Sequence, residues 1–162
     1  MAILAMDQFG LLLSDIMPNS RVFRQLENAK ELSKAKVAAI FLPSNWMFQT
    51  DPLDNSWAVT SDSIAAYVAG RVNAGKVILV TDVDGVFTSD PKKHPDAKLI
   101  ARLAAKKLLT LNQRTSVDRY LPNLLLETQI DCYVVNGKHP ERIEAILAGQ
   151  QAVCTLIVAR TE

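Results

Sequence analysis

The pattern that most constrains the fold is a pair of short apolar runs separated by one helical segment. Residues 36–42 (KVAAIFL) end at Pro43, and residues 76–81 (KVILVT) are followed by acidic residues. Both runs have the length and continuous apolarity of strands that are buried on both faces. Between them, residues 60–62 predict the start of a helix that ends at residues 73–75. Strand, helix and strand in this order predict parallel pairing in a right-handed βαβ unit.

Length and composition predict one folded domain. The chain has 162 residues, of which 49% are hydrophobic and 22% are charged, which is close to the globular average. Its 18 basic and 17 acidic residues give a formal net charge of +1, so we expect no nucleic-acid or membrane partner. Cys132 and Cys154 lie in apolar runs without CxxC spacing, which favours small buried side chains in a reducing, cytoplasmic setting.

The first sixty residues predict two helices and a long loop. Apolar residues at helical spacing between Ile3 and Ile16 predict a helix that begins at the first residue and is too short and too interrupted to span a membrane. After a turn at residues 18–20, residues 22–34 predict an exposed amphipathic helix. Residues 44–59 predict a loop whose aromatic residues either line an acceptor pocket or pack as satellite core. These side chains are Trp46, Met47, Phe48 and Trp57.

The remaining chain alternates helices and strands. Residues 99–111 look partly helical, and a helix starts near Leu121 because Pro122 is tolerated only in a first turn. Residues 132–135 predict a third strand, residues 140–147 a helix and residues 154–158 a last strand. The predicted fold class is therefore α/β, a three-layer α/β/α sandwich with a mainly parallel sheet.

The strand end at residues 81–85 (TDVDG) carries the densest candidate chemistry. Asp82 and Asp84 beside Gly85 can hold ribose hydroxyls or orient a metal-bound phosphate, since ligands bind at the carboxyl ends of parallel strands. The same residues also suit an Asp-Gly turn in which Asp82 is a local cap. Asp62 lies where a helix amino terminus favours anions, so it is either a cap or an organiser of a charged site.

Several familiar catalytic motifs are missing from the sequence. It contains no GxxxxGK[ST] phosphate loop, no GxGxxG fingerprint, no GxSxG elbow and no HExxH zinc pair. His94 and His139 lie in loops rich in lysine and proline, which is typical of surface residues. We expect no metal site built by the protein alone.

Several segments, in order, resemble the amino-acid-kinase superfamily, which includes aspartate, glutamate and uridylate kinases. They are TSDSIAA at 60–66, TDVDGVF at 81–87, DP at 90–91, VNG at 135–137 followed by Pro140, and TLI at 155–157. SWAVTSDSIAAYVAG and AILAMDQFG also resemble the branch that includes the methanofuran-pathway kinase, which acts on an aminomethylfuran phosphate.

The resemblance implies an ATP-dependent small-molecule kinase whose acceptor is a small phosphate or carboxylate, commonly working with Mg²⁺. It implies that Asp62 organises the catalytic site and that Thr60 and Ser61 lie towards the acceptor. Another set of residues is implied to surround the adenosine part of ATP or to close its pocket. These are Thr81, Asp82, Asp84, Gly85, Phe87, Asp90 and Pro91.

The sequence also departs from the family pattern. The family's first strand, its lysine and its glycine-rich turns have no counterpart, so we expect the amino-terminal third to be missing. Residues 1–59 would then be the rest of the acceptor-side half, and residues 60–162 the ATP-binding half. Arg114 or Arg119 stands near the place of a further family lysine, and Cys154 replaces a glycine. A noncatalytic nucleotide-binding or regulatory subunit is the alternative, and the apolar first helix predicts a homodimer.

Overall fold

A computed structural model describes residues 2–35, 37–111 and 115–160. The chain divides into two compact units, residues 1–61 and residues 62–162. This boundary lies two residues from the predicted division between an acceptor-side and an ATP-side half. That the two halves make up one domain stays a prediction.

The first unit combines three helices with a two-stranded parallel sheet. Ser20 pairs with Ala38 at one end of this sheet and Phe23 with Phe41 at the other. Its elements are α1 (Ala2–Ile16), β1 (Ser20–Phe23), a short 3₁₀ helix (Leu26–Asn28), α2 (Ala29–Lys34), β2 (Ala38–Phe41) and α3 (Ser44–Thr50). The prediction of α1 is confirmed. Gly10 lets α1 approach the strand, because a Cβ there would lie 3.3 Å from Ile40 Cγ2.

The predicted helix over residues 22–34 is wrong in its first part. Val22 and Phe23 belong to β1, and only Ala29–Lys34 is α-helical. A β-branched and an aromatic residue suit a strand, and the ring of Phe23 stacks 4.9 Å from that of Phe41 across the pair. The turn before β1 is present, with Asn19 at φ 59°, but it leads into a strand and caps no helix.

Two further predictions for this unit need correction. Ala38 and Ala39 of β2 are exposed, so the strand is not buried on both faces. Residues 44–50 of the predicted loop form α3, which begins directly after Pro43 and is capped by Asp7 of α1. The aromatic and Met side chains of this region do not form one cluster. Met47 is buried and Trp46 meets Phe41 edge-on, while Phe48 and Trp57 are exposed.

The second unit contains a four-stranded mixed sheet in the order β3-β5-β6-β4. The β3–β5 and β4–β6 pairs are parallel, and β5–β6 is antiparallel. The elements are α4 (Ser61–Arg71), which starts at the unit boundary, β3 (Val77–Thr81), β4 (Arg102–Ala104), α5 (Ala105–Leu108), α6 (Leu121–Thr128), β5 (Cys132–Asn136), α7 (Pro140–Leu147) and β6 (Thr155–Val158). The predictions of α4, β3, α6, β5, α7 and β6 are confirmed.

The predicted pairing of the two apolar runs is wrong. Within the described residues, β2 pairs with β1, and β3 pairs with β5. The partner of β3 is therefore more than fifty residues away, a distance that pattern alone does not encode. Strand β4 was also missed, because three residues with one buried side chain, Leu103, give almost no periodic signal. Helix α4 ends at Arg71, and Asn73, two residues later, has a left-handed backbone (φ 54°). Gly75 has no positive φ and no close neighbour, so the turn does not require a glycine there.

The core of the second unit lies against β5 and β6. Val134 and Val135 are consecutive in β5 and both fully buried, so this central strand is covered on both faces. Leu121, Leu124 and Leu125 of α6 are equally buried. This packing holds the carboxyl ends of β3 and β5 in place. No helix in the described parts of the chain has both the length and the hydropathy needed to cross a membrane.

Candidate functional site

The carboxyl ends of β3 and β5 lie side by side. Thr81, the last residue of β3, is in register with Asn136, the last residue of β5. The N–H of Gly137 donates to the carbonyl of Thr81 at 2.9 Å, and a Cβ on Gly137 would lie 2.7 Å from Val80 Cγ1. The loop after β3 and the Asn-Gly turn after β5 are therefore neighbours at the edge where α/β folds bind ligands.

Asp84 joins the loop after β3 to β5 and α7. Its Oδ1 accepts hydrogen bonds from Arg142 Nη1 at 2.6 Å and from Asn136 Nδ2 at 3.0 Å. The Arg142 hydrogen bond lowers the pKa of Asp84, with a further contribution from Asn136. Asp84 is therefore an ionised side chain that holds the loop in place. This structural role is closer to the predicted Asp-Gly turn than to the predicted binding of ribose hydroxyls.

Asp82, two residues before Asp84, is exposed. It forms an ion pair with Lys92, and this hydrogen bond lowers the pKa of Asp82 and raises that of Lys92. The N–H of Lys92 donates to Asp90 Oδ1 at 3.0 Å, so the 90–92 turn lies beside Asp82. Pro91 sits half-buried within this turn. Asp82, Asp90 and Pro91 are thus brought together.

Position 85 requires a glycine for two reasons, its backbone conformation and the close approach of neighbouring atoms. Its φ of +151° lies in a region that L side chains rarely adopt, and a Cβ would lie 2.8 Å from the Thr155 nitrogen. Fully buried Thr155 accepts from Val86 N at 2.8 Å and donates to the Ile100 carbonyl at 2.7 Å. The loop is therefore pinned to the start of β6. Phe87 follows it and forms an antiparallel bridge with Leu99.

Asp62 lies half-buried in the first turn of α4, directly after Thr60 and Ser61 in the chain. Its Oδ2 accepts a hydrogen bond from Asp118 N at 3.0 Å. Burial raises the pKa of Asp62, the hydrogen bond from Asp118 N opposes this rise, and the Asp118 charge adds to it. Asp62 therefore interacts with a second acidic residue, Asp118, through a backbone hydrogen bond and through charge.

Residues 115–121 connect Asp62 with the loop after β3. Ser116 Oγ donates to the Gly85 carbonyl at 2.9 Å, and Asp118 N donates to Asp62. Asp118 also accepts from Ser63 N at 3.0 Å and from Ser63 Oγ at 2.6 Å. One short segment thus contacts both groups of predicted site residues. Arg119 in this segment is exposed, whereas Arg114 lies outside the described residues.

Sequence reasoning gave no role to Ser63, Ser116, Asp118 or Arg142. Asp118 stands three positions before Leu121 at the start of α6, which is the spacing of a helix cap and could have been noticed. Arg142 lies in the first turn of α7, where the helix dipole disfavours a positive charge. A cation at such a position suggests that a nearby anion compensates for it. Ser63 and Ser116 carry no comparable signal.

The prediction of small buried cysteine side chains is confirmed for Cys132 and only partly for Cys154. Cys132 of β5 is buried and Cys154 is half-buried, and both are free thiols. Burial raises the pKa of Cys132 and also that of Cys154, which is less deeply buried. Both thiols are therefore protonated at neutral pH, and neither has the lowered pKa of a reactive nucleophile.

The comparisons with known proteins agree on one family. The model of the amino acid kinase family matches residues 2–150. The chain is 37% identical to (5-(aminomethyl)furan-3-yl)methyl phosphate kinase of Methanocaldococcus jannaschii, over 98% of this chain and 69% of that protein. It is 32% identical to uridylate kinase of Methanococcus aeolicus, over 90% of this chain and 64% of that protein.

A solved structure shows the same fold. The crystal structure of uridylate kinase from Archaeoglobus fulgidus superimposes with a TM-score of 0.72 at 26% identity, covering 96% of this chain and 69% of that one. The predicted α/β fold class of amino-acid-kinase type is confirmed. By resemblance the chain is a phosphotransferase of the kinase type. The chain belongs to the amino acid kinase family.

Proposed function

We propose that this chain provides the ATP side of an ATP-dependent kinase that transfers the γ-phosphoryl group to a small acceptor. The observation that supports this most is the hydrogen-bonded path from Gly85 through residues 116–118 to Asp62. It ties the loop that the family resemblance assigns to ATP to the carboxylate that it assigns to phosphoryl transfer. Kinases of this type work by positioning and by charge stabilisation, which needs such a rigid connection.

The proposed roles follow the family resemblance residue by residue. Asp62 organises the groups around the transferring phosphoryl, and Thr60 and Ser61 face the acceptor. The loop after β3 and the 90–92 turn surround adenosine, with exposed Asp82 available to a ribose hydroxyl once it leaves Lys92. Mg²⁺ enters bound to the ATP phosphates, as it commonly does in enzymes that use ATP.

The acceptor we propose is a phosphate monoester, and an aminomethylfuran phosphate is the first candidate. The relative with 37% identity is named for a furan methyl phosphate, and the relative with 32% identity is named for uridylate. Both names denote acceptors that carry a phosphate. This shared chemistry favours a phosphate over a carboxylate acceptor.

The test is titration calorimetry of the purified chain with MgATP, followed by transfer assays with γ-labelled ATP. The acceptors are the aminomethylfuran phosphate, UMP and acetylglutamate, the last serving as a carboxylate control. Transfer to a phosphate acceptor supports the proposal. Binding without transfer supports a noncatalytic nucleotide-binding subunit, and no ATP binding contradicts both.

We further propose that the protein is a cytoplasmic homodimer that associates through α1. Phe9 and Ile16 of this helix are 65% and 67% exposed, and Leu4 and Leu12 are about half exposed. Such apolar surface on one helix favours a covering partner. Light scattering should give the dimer mass at micromolar concentration, and Phe9→Glu should lower it to the monomer mass. A monomer mass for the unmodified chain would contradict this proposal.

A further inference from the structure

Two carboxylates meet at the start of α4, and the connection between them runs through the backbone. The N–H of Asp118 donates to Asp62 Oδ2 at 3.0 Å. The Asp118 side chain accepts hydrogen bonds from Ser63, the residue after Asp62. Residue 118 therefore donates one hydrogen bond to α4 and accepts two from it.

Among the described residues, four backbone or side-chain groups donate hydrogen bonds to the Asp118 side chain. Two come from the nitrogen and hydroxyl of Ser63, at 3.0 and 2.6 Å. Two more come from Tyr120 N at 3.1 Å and Leu121 N at 2.8 Å, where α6 begins. Because charge-assisted hydrogen bonds are the strong ones, the carboxylate locks residues 118–121 against α4. The direction of the Asp118 N–H depends on this lock.

We propose that Asp118 is a positioning residue that fixes the orientation of the Asp62 carboxylate for phosphoryl transfer. The inference rests on the proposed function, because only a role of Asp62 in transfer makes its orientation matter for turnover. A shift of about 1 Å in a catalytic group can cost about a hundredfold in rate. The catalytic group remains Asp62, and Asp118 acts through it.

Charge supports the same relation within the second unit. Burial raises the pKa of Asp62 and the negative charge of Asp118 raises it further, while burial raises the pKa of the Cys132 thiol of β5 with a further contribution from the charge of Asp62. Two carboxylates are held close together at the cost of mutual repulsion. The hydrogen bond from Asp118 N offsets part of that cost by stabilising the ionised form of Asp62, so losing this hydrogen bond would raise the pKa of Asp62 further.

The first experiment measures the hydrogen bond itself by NMR. Because Asp118 N–H donates to Asp62, part of its amide proton shift should follow the ionisation of Asp62 in a pH titration, and the difference between the unmodified chain and Asp62→Asn measures this Asp62-dependent part. In the Asp118→Ala background, Asp62→Asn should no longer change the pH response of the residue 118 amide, whereas in Asp118→Asn, which keeps one acceptor oxygen, part of the Asp62-dependent response should remain. A full response in Asp118→Ala would overturn the proposal.

The first unit offers a matched control. Asp7 accepts from the nitrogen and the hydroxyl of Ser44 as Asp118 does from those of Ser63. Asp7→Ala removes an equivalent aspartate–serine contact, and it should leave the Asp118 amide response at full amplitude. Loss of the response in this control as well would show a general effect of destabilisation and would also overturn the proposal.

A second variant covers the case in which Asp118→Ala does not fold. Ser63→Ala keeps the Asp118 charge and removes the hydroxyl that donates to it, so it should reduce the Asp62-dependent amide response, while Ser44→Ala should not. In transfer assays Asp118→Ala should lower kcat by about tenfold or more with little change in KM for ATP. An Asp118→Ala kcat equal to that of the unmodified chain would overturn the positioning role.

Failure of the proposed function gives a different pattern. If the unmodified chain transfers no phosphoryl group, the kinase proposal fails, yet the amide titration still decides whether Asp118 orients Asp62. A full response with normal dependence on Asp118 would then support the geometric coupling alone. A missing response in an active chain would reject the coupling and keep the kinase.

Discussion

The two units contain the same polar motif in different surroundings. In each, an aspartate accepts hydrogen bonds from the nitrogen and hydroxyl of a serine in the first turns of a helix: Asp7 with Ser44, and Asp118 with Ser63. Asp7 lies inside α1 and ties that helix to α3. Asp118 precedes α6, and its own N–H continues to Asp62. The aspartate–serine motif alone therefore does not identify a functional site. What distinguishes the second unit is that the backbone N–H of the same aspartate donates to another carboxylate, Asp62.

The units also differ in how deeply they bury apolar side chains. Among the described residues, the buried apolar side chains of the first unit are Leu42 and Met47 together with Pro43, whereas in the second unit every helix and strand contributes at least one. A dense core fixes side-chain positions more strictly than a thin one. We therefore expect substitutions at polar positions in the second unit to have larger and more specific effects.

The largest effect is expected for Asp62→Asn. Removing the charge that organises the transfer site should lower kcat by about 10³-fold, equal to about 4 kcal/mol. The same change should increase the stability of the fold at pH 7. The folded-state pKa of Asp62 is raised, so its ionised form opposes folding above that pKa, and protonation at lower pH relieves the opposition.

Turnover assays and urea unfolding of the same Asp62→Asn sample check both parts. Asp7→Asn, the corresponding change in the first unit, should show no gain in stability, because it removes one of the two carboxylate oxygens that accept from Ser44. Asp62→Asn with unchanged turnover would remove the functional difference between the two units.

Gly85→Ala should give the second largest effect. The new Cβ would meet the Thr155 backbone at 2.8 Å and Leu99 at 2.9 Å, in a backbone conformation that alanine disfavours. Strain and overpacking together should lower the free energy of unfolding by about 3 kcal/mol. Gly149→Ala separates the two terms, since Gly149 has a φ of +73° but open space around it, and should cost about 1 kcal/mol. Equal losses in urea unfolding would contradict the importance of the contact with Thr155.

Comparison of Ser63→Ala with Ser44→Ala addresses the shared motif directly. Ser63 is fully buried and Ser44 is half-buried, so loss of the hydroxyl should cost about 2 kcal/mol at Ser63 and about 1 kcal/mol at Ser44. Thermal and urea unfolding measure both. A larger loss at Ser44 would reverse the expected ranking of the two units.

The smallest effect concerns the Asp84–Arg142 pair. Arg142 holds the pKa of Asp84 below its ordinary value of 3.8, so the pair stabilises the fold above pH 4, and this stability is lost as the pH falls through the lowered pKa. Because the Asp84 side chain is 36% exposed, solvent screening should limit the effect to less than about 1 kcal/mol. Arg142→Gln should flatten the loss of stability between pH 5 and pH 2, and an unchanged acid slope would show that the pair contributes nothing.

Local sequence signals predicted much of the second unit. Helix α6 begins at Leu121 because Pro122 fits only a first turn, and β3 and β5 are apolar runs of strand length. The first unit was harder. Val22 and Phe23 look helical beside a run of Glu, Lys and Gln, but they form β1 because Phe41 of β2 offers a ring to pack against. Side-chain pairing across strands is not visible in a local pattern.

The sequence by itself determined the family, the strand end at residues 81–85 and the place of Asp62 at the start of a helix, because these depend on short runs of neighbouring residues. Tertiary structure decided what those residues contact. Asp84 meets Arg142, Gly85 meets Thr155, and Asp62 meets Asp118, in each case across more than fifty positions of the chain. The physical reason is that a carboxylate shows its charge in the sequence, but its orientation and pKa depend on donors that only folding brings within hydrogen-bond distance.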